Sequence, residues 1–107
     1  MKDNAIIVFC TVPSTEIADI IASKLVENKL AACCNILPGM KSVYRWKEKI
    51  ESSKEVLLLI KSTENNFKRL ESEVRILHPY EVPEIISVTV QNGLPEYVEW
   101  IKQNTIR

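Results

Sequence analysis

His78-Pro79-Tyr80-Glu81-Val82-Pro83-Glu84 stands between a helical pattern and a strand pattern and marks where one gives way to the other. Pro79 and Pro83 fix their own φ angles and disfavour helix at His78 and Val82, so the stretch is a stiff, extended connector. It carries the chain's single histidine, a tyrosine and two glutamates. Two readings stay open. It is a rigid link whose histidine caps a helix C-terminus, or it is part of a ligand or metal site, since loops often carry function.

Working outward, Phe67, Leu70, Val74 and Leu77 give the buried stripe of a helix that starts near Thr63. Glu64/Lys68 and Glu71/Arg75 are spaced to pair on its wet face. On the other side, residues 84–90 set Ile86, Val88 and Val90 against Ser87 and Thr89, the alternation of a strand. Pro95 then suits the first turn of a short last helix carrying Tyr97, Trp100 and Ile101.

Toward the N-terminus, residues 50–61 read as a long strand ending in Val56-Leu57-Leu58-Leu59-Ile60. Residues 32–46 form its partner, bent at Pro38-Gly39, with Lys47-Glu48-Lys49 as the turn. Ile17, Ile21 and Leu25 make the stripe of a first helix capped by Ser14 and ended at Asn28-Lys29. Residues 5–12 are an apolar run without alternation, a strand buried on both faces.

The order β-α-β-β-α-β is the ferredoxin-like arrangement, an α+β sandwich, here with a short C-terminal helix added. Two helices cover only one face of a four-stranded sheet, yet the first and third strands are apolar on both. Self-association is the economical cover for the second face. Tyr44 and Trp46, on one face near the hairpin tip, fit an interface, although ordinary cross-strand packing would also explain them.

Composition narrows the function classes. The formal net charge is zero, which argues against a nucleic-acid partner. The longest apolar runs are too short for a membrane span. No small-residue cleavage site follows Met1-Lys2-Asp3-Asn4, so no signal peptide is expected. Three cysteines, two of them adjacent, are no disulfide framework and suit a reducing cytoplasm.

Four chemistries hosted by this fold fail against the sequence. A soft-metal domain needs Cys-x-x-Cys in the first loop, where Cys10 stands alone before Thr11-Val12-Pro13. An RNA-recognition sheet needs aromatic residues on its third strand, which offers only aliphatic ones. An acylphosphatase-like phosphate cradle needs an early arginine, and none lies between Met1 and Lys41. A hydrolase triad lacks a Gly-x-Ser-x-Gly elbow. No enzyme is expected.

Five stretches together resemble the CutA family of divalent-ion tolerance proteins. They are Cys10-Thr11-Val12-Pro13, Leu30-Ala31-Ala32-Cys33, Pro38-Gly39 with Tyr44-Arg45-Trp46, His78-Pro79-Tyr80 through Pro83-Glu84, and Tyr97 to Ile101. The resemblance runs through essentially the whole chain, so residues 1–107 read as one CutA-like domain. It implies a homotrimer with sheets packed about a three-fold axis and hairpins interlocking neighbours. It also implies a role in divalent-metal tolerance, with copper bound in some members by the strand-one cysteine and two consecutive histidines. Cys10 and His78 match two of those ligands, but Leu77 replaces the first histidine. Two donors are short of the three or four that copper or zinc takes, so metal binding is expected to be weak and no metal obligatory.

A rival reading is a trimeric small-molecule sensor or assembly scaffold, because the CutA fold is similar to that of PII-type signalling proteins. Its inter-subunit cleft would draw on Tyr44, Trp46, Lys61, Tyr80 and Glu84.

Overall fold

The computed structural model describes residues 3–106. Strands β1 (Ala5–Val12), β2 (Cys33–Trp46), β3 (Lys49–Thr63) and β4 (Ile85–Thr89) form an antiparallel sheet in the order β2-β3-β1-β4. Helices α1 (Thr15–Glu27) and α2 (Phe67–Leu77) lie on one face, and α3 (Pro95–Gln103) follows β4. This is the ferredoxin-like order expected from the sequence.

The helices start and stop where the chemistry says. Ser14 is extended and its Oγ accepts the Ile17 N–H at 3.2 Å, capping α1. Lys29, at φ 58°, turns the chain out of the helix. A 3₁₀ turn over Glu64–Asn66 precedes α2, so the α-helix begins later than Thr63. His78 ends α2 because its extended backbone, imposed by Pro79, cannot continue the helix.

Strand alternation divides the sheet into two faces. Ile6, Val8, Cys10 and Val12 of β1 and Val56, Leu58 and Ile60 of β3 pack with Ala18, Ile21, Leu25, Leu70 and Val74 in the main core. The other phase turns the opposite way. There Phe9 sits between Leu59 and Ile86, and Ile7 between Lys61 and Val88. α3 covers one end of this second face, packing Ile101 and Val98 on Ala5 and Ala32. Its middle stays open in the single chain, with Ile86 58 % and Val88 50 % exposed.

Two sequence expectations are corrected. The hairpin turn is two residues long, Lys47-Glu48, both at positive φ, and Lys49 already pairs with Trp46. That twist matches the strands and prevails over the absence of glycine or asparagine. The wet-face pairs of α2 also differ. Glu71 lies 3.8 Å from Lys68 rather than on Arg75, and Glu64 accepts from the Thr89 hydroxyl. Exposed pairs of either kind are worth little, so long side chains choose among near-equal partners.

Candidate functional site

The bulge in β2 builds one wall of the site. Leu37 pairs with Leu57, but the next register pair is Met40 with Glu55, so β2 holds one extra residue there. Gly39, at φ 84°, makes that bend, a conformation other residues adopt at a cost. One extra residue flips the alternation. Ser42, Tyr44 and Trp46 therefore share the face of Ser53 and Glu55, the open face of the sheet. Tyr44 Oη lies 3.3 Å from Ser53 Oγ across the hairpin.

The connector of residues 78–84 is the opposite wall. His78 is buried, with 7 % of its surface exposed. Its Nδ1 accepts the Tyr80 backbone N–H at 3.1 Å, and its Nε2 lies 2.7 Å from the Thr11 carbonyl oxygen. An amide N–H only donates and a carbonyl only accepts, so the imidazole is the neutral Nε2–H tautomer. The ring of Tyr80 tilts against the imidazole at a centroid distance of 4.7 Å. Its hydroxyl donates to Glu55 Oε2 at 2.7 Å, tying the connector to β3. Burial, then the bond to Glu55, pushes the Tyr80 hydroxyl pKa above the usual tyrosine range.

Between the walls lies a groove of about 670 Å³. Tyr44, Trp46, Tyr80 and Glu84, expected in a cleft between subunits, line this groove within one chain. Lys61 does not join them. It sits farther along β3, opposite Ile7 and Cys33, and its Nζ bonds Asn35 Oδ1. The alternation that puts Lys61 on the correct face says nothing of its distance along the strand.

The sequence reading missed Glu55 and Thr11. Glu55 is a glutamate at the edge of an apolar run, only 8 % exposed. Its alternation phase with Leu57 and Leu59 was the available signal. With Glu55, Glu81 and Glu84 along the groove and no basic residue among the described residues that line it, the groove has an acidic character, although the Lys47 ammonium lies 5.9 Å from the centre of the Trp46 ring.

The candidate metal pair is close but poorly disposed. Cys10 is fully buried on the helix face, its Sγ 3.9 Å from the same Thr11 carbonyl that His78 uses. Burial pushes its thiol pKa up to about 12, with Glu84, Cys34 and Glu55 adding to the rise. The metal-binding form of cysteine is the thiolate, which this environment disfavours at neutral pH. Both His78 nitrogens are already engaged. No group of three or more histidine, cysteine, aspartate or glutamate side chains placed to hold an ion occurs among the described residues. The donor set does not fit a divalent ion. Cys33 and Cys34 point to opposite faces, and burial raises the Cys34 thiol pKa to about 12 as well.

The profile of the family described as CutA1 divalent ion tolerance protein matches residues 6–104. This chain belongs to that family. A divalent-cation tolerance protein CutA of Thermus thermophilus is 48% identical over 92% of this chain and 96% of its own length. The chloroplastic CutA of Arabidopsis thaliana is 42% identical over 94% of this chain, which spans only 56% of that longer protein. The solved structure of the Cut A1 divalent cation tolerance protein from Thermus thermophilus superposes with a TM-score of 0.93 at 46% identity, covering 94% of this chain and 98% of that one. The family is named for tolerance of divalent ions rather than for a reaction. Among the described residues no helix is long and apolar enough to cross a membrane.

Proposed function

We propose that this chain serves divalent-cation tolerance as a cytoplasmic homotrimer without enzymatic activity, and that its own contact with cations is weak. One observation carries the assembly. The row Leu59–Phe9–Ile86 and its neighbours Ile7 and Val88 form an apolar sheet face that α3 covers at one end only. A face of that kind is stabilised by a partner surface. Membership in the family supports the tolerance role. The mismatch between the Cys10–His78 pair and a metal shell supports weak contact.

The test is growth of a bacterial strain lacking its own family member across graded copper, zinc and cobalt. Wild type and Cys10→Ala should both restore growth to the level of an intact strain. Failure of the wild type to do so in any of the three metals would refute the tolerance role.

The groove favours a second reading, a sensor for a small ligand. Its volume suits a small organic molecule, and its rings and carboxylates suit a cationic one. Calorimetry with a panel of small organic cations on wild type and Trp46→Ala separates this reading from the first.

A further inference from the structure

We infer that His78 is a latch that positions the groove wall, and that the Cys10–His78 pair is not a divalent-metal site. The imidazole joins two segments far apart in sequence. Its Nε2–H reaches the Thr11 carbonyl at the end of β1, and its Nδ1 takes the amide of Tyr80 two residues on. The second bond bends the chain so that the Tyr80 ring lies against the imidazole and its hydroxyl reaches Glu55.

The connector has few other ties. Pro79 and Pro83 have no N–H to offer, and residues 79–84 contribute nothing to the sheet ladder. Without the imidazole, the Tyr80–Glu55 bond is the side-chain hydrogen bond that still ties this wall to the sheet among the described residues. A metal ion would need one of the ring nitrogens, and taking either breaks one of these bonds. A metal on Nδ1 displaces the Tyr80 amide, and a metal on Nε2 takes the short bond from the buried Thr11 carbonyl and leaves it the long, weak contact of the Cys10 thiol. Every atom involved belongs to one chain, so the latch holds whatever the oligomeric state.

Two conservative variants separate the bonds. In His78→Asn a side-chain oxygen stands near the place of Nδ1 and accepts the amide two residues on, as asparagine does in turns. It is too short to reach Thr11. In His78→Gln a side-chain NH₂ reaches toward the place of Nε2 but leaves the Tyr80 amide without its acceptor.

The test uses the isotopically labelled full chain. Long-range ¹H–¹⁵N spectra should show a single neutral tautomer of His78 with the proton on Nε2, unchanged by equimolar zinc chloride. Tyr80 amide exchange should stay within threefold of wild type in His78→Asn and rise at least tenfold in His78→Gln and His78→Ala. The Val8 amide, in the central strand, reports global unfolding in the same spectra. Calorimetric zinc affinity, if any is measurable, should stay within threefold in Cys10→Ala and His78→Ala. The inference is overturned if zinc shifts either ring nitrogen or if zinc affinity falls more than threefold in those variants. It is equally overturned if Tyr80 exchange, corrected for Val8, rises less than tenfold in His78→Ala or His78→Gln, or more than threefold in His78→Asn.

Discussion

Tyr80→Phe removes one oxygen, and the structure says what that oxygen does. It donates at 2.7 Å to a glutamate with only 8 % of its surface exposed. Deleting the donor leaves a buried carboxylate short of a partner, and the cost of such a group is about 1–3 kcal/mol, more for a charge. We expect a loss of about 2–3 kcal/mol in urea unfolding at pH 7. The reciprocal change is milder. Glu55→Gln keeps a carbonyl oxygen for the tyrosine and leaves no charge behind, so about 1 kcal/mol or less is expected. Combining Tyr80→Phe with Glu55→Gln should cost less than the two single losses added, since the neutral amide needs the hydroxyl less than the carboxylate does. Unfolding midpoints of the four proteins, read with a common urea slope, measure this directly. Tyr80→Phe losses below about 0.5 kcal/mol would show that solvent already satisfies Glu55 and that the connector is not held to β3 by this bond.

Other expectations follow from the open face and the buried thiol. Ile86→Ala should cost about 2–5 kcal/mol per chain if copies of the chain cover the sheet; a surface substitution within about 0.5 kcal/mol, with a midpoint independent of protein concentration, would place Ile86 in solvent. Cys10 has its thiol pKa raised from 9.0 to about 12 by burial, so the folded state holds that proton more tightly than the unfolded one. Its contribution to stability is complete below pH 9 and is lost as pH climbs toward about 12. The stability gap between wild type and Cys10→Ala should therefore narrow above pH 9, and a constant gap would contradict the burial argument. Gly39→Ala meets no neighbouring atom but forces an L side chain to φ 84°, so a loss of about 1 kcal/mol or more is expected in thermal unfolding.

Periodicity carried most of the fold. Ile17, Ile21 and Leu25, and Leu70 and Val74, announce their helices because 3.6-residue spacing leaves few alternatives. The two-faced apolar runs of β1 and β3 announced a sheet that carries apolar side chains on both faces. The site was less legible, for physical reasons. A one-residue bulge decides which face Tyr44 and Trp46 occupy, and Pro38-Gly39 signals a bend without giving its length. The turn at Lys47-Glu48 answers to strand twist rather than to its own residues. His78 was visible as an unusual residue in a stiff connector, but its acceptor is a backbone carbonyl of Thr11, which no side-chain pattern reveals. Glu55 looks like an ordinary solvated charge beside an apolar run until the Tyr80 hydroxyl is seen to reach it.

The assembly is the central claim, because the open sheet face gives the trimer its physical reason. Sedimentation equilibrium of the reduced wild-type protein at micromolar concentration tests it most directly. A single species of three times the 12.3 kDa chain mass is predicted; a folded, stable species of one chain mass would contradict it.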